Sequence, residues 1–220
     1  KKFFIKICRF FGVELIDQSN FSIPTSNKSM DDILSVPGKN SVTLPMGKIN
    51  ITRPVKSLNI ILRTCMSVNM LTQSKKRIFE KDKEEYTKRT LISLINSIHY
   101  AKDFFKDIKF KVHIIDHNSS KNQINDIKII LEQSNLNFEI LNLKFEEFSN
   151  LIENINEEKK EVTNNQKSNM SNIHQSLVLS KEVCEDLTYF VEDDYIHEKN
   201  SLAEMLFAYE KIASLTKKEL

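Results

Sequence analysis

Four short apolar runs, Leu58–Leu62, Phe110–Ile115, Phe138–Leu143 and Leu187–Val191, constrain the fold more than any other feature of this chain. Each is rich in aliphatic, β-branched or aromatic residues and is bounded by polar ones, so each reads as a buried strand. Between them the apolar residues recur at the helical period. Asp82–Phe105 carries Tyr86, Leu91, Leu94, Ile95, Ile98 and Ala101 along one face. Further helices are predicted over Ile124–Gln133, Glu146–Asn156, Ser171–Cys184 and Ser201–Ala213. Glu157–Asn169 is rich in Lys, Glu and Asn and is predicted to be a mobile loop. Strands that alternate with helices pair in parallel, because each helix carries the chain back to the end of the sheet where the next strand starts. The predicted class is α/β, a mostly parallel, Rossmann-like sheet with flanking helices.

The N-terminal part follows a different pattern. In Lys1–Leu15, residues Phe3, Phe4, Ile7, Phe10 and Phe11 share one helical face, with Lys2, Lys6 and Arg9 opposite. Such a helix either packs on the main domain or lies on an anionic membrane surface. Asp17–Lys56 contains Pro24, Pro37, Pro45, Gly38 and Gly47 and reads as an irregular arm. The expected organisation is an amphipathic helix and arm over 1–56 and the main domain over 57–220.

Composition narrows the function. A net charge of +2 over 220 residues lacks the basic surplus of a nucleic-acid binder. Cys8, Cys65 and Cys184 are odd in number and have no paired spacing, which argues against a disulfide framework or a zinc site and fits a reducing compartment. No run of about 18 apolar residues is present, so no membrane-spanning helix is predicted. No strand is followed by Gly-x-Gly-x-x-Gly or Gly-x-x-x-x-Gly-Lys, which disfavours dinucleotide and P-loop sites. His99, His113 and His174 read as surface or core residues.

The chemistry concentrates where strands end. The first strand runs into Arg63-Thr64, the second into Asp116-His117-Asn118-Ser119, and the fourth into Glu192-Asp193-Asp194. The carboxyl ends of parallel strands share one edge, where α/β proteins bind their ligands. Three successive carboxylates repel one another unless a cation joins them, and a hard divalent ion carrying a substrate phosphate meets that need. A solvated acidic turn is the other reading. Asp116 either accepts a hydrogen bond from a base N–H or caps a turn. His197 follows the acidic run closely enough to join a metal. Lys75-Lys76-Arg77 follows the first strand and either closes over a diphosphate or is solvated.

Taken in order, these strand ends resemble the large inverting group of nucleotide-sugar-dependent glycosyltransferases with the GT-A fold (family-2-like). In that group a strand ending in Asp-Asp-Gly-Ser is followed later by one ending in an Asp-x-Asp type motif. Ile115-Asp116-His117-Asn118-Ser119 stands in the first position and Phe190-Val191-Glu192-Asp193-Asp194 in the second, with His117 and Asn118 departing from the pattern. Asn172 stands where the family often has an Arg-Asn pair. The resemblance covers roughly Leu58 to Ala213. It implies a nucleotide site of Arg63, Thr64, Asp116, Asn118, Ser119, Asn172 and Asp193. Glu192 and Asp194, with His197, would hold Mn2+ or Mg2+. It also implies a nucleotide-diphosphate sugar donor, UDP-linked by resemblance, and a glycan or lipid-linked acceptor. In the family the general base lies well downstream of the metal motif, and 26 residues follow Asp194, so the base and the acceptor-binding part are expected to lie beyond this chain. A nucleotidyltransferase, or a non-catalytic domain that binds nucleotide sugars, are the alternatives. The absence of glycine after Gly47 weakens the nucleotidyltransferase.

Overall fold

The computed structural model describes residues 50–67, 82–155 and 161–219. The predicted helix Lys1–Leu15, nearly all of the arm and the Lys75-Lys76-Arg77 cluster lie outside the described residues. Four parallel strands, β1 (Ser57–Thr64), β2 (Lys109–Asp116), β3 (Asn137–Asn142) and β4 (Leu187–Glu192), form one sheet in the order β3-β2-β1-β4. The helices are α1 (Lys83–Phe104), α2 (Lys121–Gln133), the short α3 (Phe145–Ser149), α4 (Asn164–Val183) and α5 (Ser201–Thr216). The expected α/β class with a parallel, Rossmann-like sheet is the one found. No helix among the described residues is long and apolar enough to cross a membrane.

The central strands are the most apolar, because both of their faces are covered. Ile60, Ile61 and Leu62 of β1, and Val112, Ile114 and Ile115 of β2, are fully buried. The edge strands β3 and β4 are mostly half-buried. Side chains alternate between the two faces. On one face Asp193, just past β4, meets Thr87 of α1, and on the other Thr188 meets Ser180 of α4. Under α4 the core gathers Ile61, Ile115, Leu143 and Leu179, with Leu141, Phe145 and Val183 against them.

Two differences from the sequence reading affect the site. The predicted loop Glu157–Asn169 ends early, because Thr163 and Gln166 form a capping box that starts α4 at Asn164. The predicted helix Glu146–Asn156 is only the five residues of α3. The described residues divide into two compact units, Val55–Ala203 and a second that joins residues 50–54 to residues 204–219. The sequence reading had assigned all of the last helix to the main domain. Within the second unit Thr52 N and Arg53 N both donate to Ser214 Oγ, and Arg53 pairs with Glu219 at 2.7 Å, so the end of the arm is fastened to the end of the chain.

Ile61 sits at the centre of the cluster under α4 with no exposed surface. Ile61→Ala is expected to lower unfolding stability by about 3 kcal/mol in urea titration. A loss below about 1 kcal/mol would mean that this face is not the packed core described here.

Candidate functional site

From β1 to β3 the chain moves outward on one side of the sheet, then returns past β1 to place β4 on the other side. At such a reversal the helices on either side of the sheet part, and a crevice opens at the carboxyl edge of the strands. A cavity of about 1140 Å3 lies there. Its floor comes from the strand ends: Arg63, Thr64 and Cys65 after β1, His117 and Asn118 after β2, and Glu192, Asp193 and Asp194 after β4. One wall is α3 with Lys144, Phe145, Glu146 and Glu147, and another is the start of α4. Lys83 enters from α1.

The pleat separates the charges. Arg63 and Glu192 are register partners on the α4 side and form an ion pair of 2.5 Å. The other end of the Arg63 guanidinium donates to Asn169 Oδ1 at 3.2 Å. On the α1 side, the Asp193 carboxylate meets Lys83 Nζ at 2.6 Å, Thr87 Oγ1 at 3.1 Å and Cys65 N at 3.4 Å. Burial raises the Asp193 pKa, and Lys83 works against that rise. Burial, with Asp116 and Asp193 nearby, pushes the Cys65 thiol up to about 11, so it is not an activated nucleophile. Among the described residues Asp194 is exposed and has no cationic partner.

The start of α4 presents Asn164, Asn165, Ser168, Asn169 and Asn172 to the cavity, with no acidic residue in its first turn. Amide side chains both donate and accept hydrogen bonds, which suits hydroxyl and base-edge groups. Asn172 Nδ2 is fixed by Ile115 O at 3.0 Å, and its buried Oδ1 has no hydrogen-bond partner. Ser168 Oγ lies 2.5 Å from His117 Nδ1, and the His117 ring stacks on Phe145 at 5.0 Å between centroids. Burial lowers the His117 pKa, so the ring is neutral at pH 7.

The structure brings together Arg63, Thr64, Asn118, Asn172 and Asp193 of the expected nucleotide residues, and Glu192 and Asp194 of the expected metal ligands. It does not bring in Asp116, Ser119 or His197. Asp116 is buried, and its oxygens accept from Thr64 Oγ1 at 2.7 Å, Ser119 Oγ at 2.5 Å and Ser119 N at 3.1 Å. Ser119 Oγ in turn accepts from Met66 N at 2.9 Å. Asp116 and Ser119 therefore lace the loops after β1 and β2 together, and of the two readings of Asp116 the cap is the one the geometry matches. His197 is buried against α1, where its Nε2 lies 3.1 Å from Tyr189 Oη and its backbone N donates to Ser93. Asp193, expected in the nucleotide site, is occupied by Lys83 and Thr87. Among the described residues no group of three or more His, Cys, Asp or Glu side chains is arranged to hold a metal. What remains, Asp194 with Glu192 beside it, fits a cation completed by phosphate oxygens and water but does not form an all-protein cage.

Sequence reasoning missed Lys83, Phe145 and the asparagines of the first turns of α4. The Thr163-x-x-Gln166 capping signature was the available signal for the last of these. No signal marked Lys83, whose role depends on how α1 packs. No protein-family model, curated protein or solved structure matches the chain.

If Asp116 is a cap, removing it strands a buried hydroxyl and a backbone N–H. Asp116→Ala should lower stability by about 2 kcal/mol in urea unfolding, and a loss under about 0.5 kcal/mol would contradict the role.

Proposed function

We propose that this chain is the nucleotide-sugar-binding part of a glycosyltransferase, transferring a sugar from a nucleoside diphosphate donor to a polysaccharide, glycolipid or other glycan acceptor with help from Mn2+ or Mg2+. The observation that carries the reading is the crevice at the strand-order reversal, into which Arg63, Glu192 and Asp194 all open. The resemblance of those strand ends to the GT-A glycosyltransferases supplies the reaction class and the UDP-sugar donor. The proposed cellular place is the cytoplasm, at the inner face of a membrane if Lys1–Leu15 binds lipid.

Charge supports a cation in the ligand. The lining has five carboxylates (Glu146, Glu147, Glu192, Asp193, Asp194) and three cations (Arg63, Lys83, Lys144). Arg63, Lys83 and Lys144 pair with Glu192, Asp193 and Glu147, which leaves Glu146 and Asp194 uncompensated among the described residues. A bare diphosphate would be repelled by that surplus, whereas its complex with a divalent ion would not. Asp194 would hold the ion, with Glu192 as a second oxygen donor. Arg63 would face the diphosphate, and the amides of α4 would meet hydroxyl groups of the donor. The bound ion supplies Lewis-acid neutralisation of charge on the departing diphosphate. A non-catalytic domain that binds nucleotide sugars uses the same residues up to that step.

Asp194 is exposed and has no ion-pair partner among the described residues, so Asp194→Ala should leave the fold intact. Calorimetric titration with UDP is expected to give Mn2+-dependent binding to the native protein and none measurable to Asp194→Ala. Undiminished binding by the variant would remove Asp194 from the site.

A further inference from the structure

Arg63 and Glu192 are paired with each other, yet the proposed site needs both for different partners: Arg63 for the diphosphate and Glu192 for the cation. Their surroundings differ. The Arg63 side chain is 13% exposed and the Glu192 side chain 50% exposed. Arg63 is also held from its other end by Asn169 on α4. The arginine is thus fixed by a second contact, while among the described residues the carboxylate has Arg63 as its one ion-pair partner. Because the Glu192 end of the pair is half-exposed, a partner of higher charge can reach it and take its place.

We infer that the Arg63–Glu192 pair is an exchange latch that makes metal binding depend on the diphosphate. Without ligand, Arg63 neutralises Glu192, and among the described residues Asp194 is left as the one carboxylate without a cation at the end of β4, too little to hold a divalent ion firmly. When a metal–diphosphate complex enters, the phosphate oxygens take Arg63, and Glu192 is released to the ion. Each new partner carries more opposite charge than the one it replaces, so the exchange runs forward only when ion and diphosphate arrive together. Lys83 and Asp193 do not exchange in this way, because their pair is buried and also bound by Thr87 and Cys65 N. The inference rests on the proposed nucleotide site and adds an order of binding to it.

The latch predicts a reversal of sign that a simple phosphate-binding arginine does not. Mn2+ is titrated alone and in saturating UDP into the native protein, Arg63→Gln, Glu192→Gln and the double variant. Thermal melting first confirms that each is folded. Arg63→Gln should bind Mn2+ alone about tenfold more tightly, since a cation has left a carboxylate at the site, and should bind UDP–Mn2+ about tenfold more weakly. The double variant should lose the gain for Mn2+ alone. If Arg63→Gln does not fold, Glu192→Gln carries the test: it should lower Mn2+ affinity a few-fold without UDP and by a much larger factor with UDP. Unchanged or weaker binding of Mn2+ alone by Arg63→Gln would overturn the latch, as would an equal loss with and without UDP in Glu192→Gln. If the native protein binds no nucleotide with Mn2+, the site reading itself fails and the latch goes with it.

Discussion

The placement of β4 against β1 is the constraint on which the rest of the site depends. Had the fourth strand been added beyond β3, the carboxyl edge would have been closed by successive loops over one side. Because β4 instead pairs with Leu58–Arg63 in parallel register, Glu192 stands beside Arg63 and the chain parts around β1. The two faces of the sheet then receive different groups. The α4 side takes the exchangeable pair Arg63–Glu192, and the α1 side takes the buried pair Lys83–Asp193. One run of three acids therefore yields one structural carboxylate, one carboxylate lent to an arginine and one with no cationic partner among the described residues.

That division sets how the charge of the acidic cluster is balanced. Two of the three charges are compensated inside the protein, at different energetic depths. Asp193 is buried and multiply bonded, and removing it would leave Lys83 partly buried without a counter-ion. Glu192 is half-exposed and has Arg63 as its one ion-pair partner among the described residues. The Asp116–Thr64–Ser119 lacing has a related role. It holds the loops after β1 and β2 together, so that Arg63 on one and His117 with Asn118 on the other face the same space.

Much of the fold was legible because alternating apolar runs leave few topologies open. All four strands were found within two residues of their ends, and the long helix α1 was bounded almost as observed. The site was legible only in part. Strand ends can be recognised from sequence, so the placing of Arg63, Glu192 and Asp194 at the carboxyl edge of the sheet was legible. Which acid turns inward depends on the pleat and on where α1 delivers Lys83 and Thr87, and neither is written in the local sequence. Asp116 was ambiguous for the same reason: a carboxylate at a strand end caps a turn or faces a ligand according to what the neighbouring loop offers, here Thr64 and Ser119. The polar stretch before Asn169 was taken for a loop because its composition outweighed the Thr163–Gln166 cap, and with it went the amide wall of the cavity. The His197 expectation relied on closeness in sequence, whereas the turn after Asp194 carries that ring to α1.

The proposed occupant of the crevice at the end of β4 is a metal-bound nucleoside diphosphate. Crystals grown with UDP and Mn2+, measured at the manganese absorption edge, test it most directly. An anomalous peak is expected within coordination distance of Asp194, with the diphosphate between it and Arg63. A peak away from β4, or UDP bound with no peak near Asp194, would contradict it.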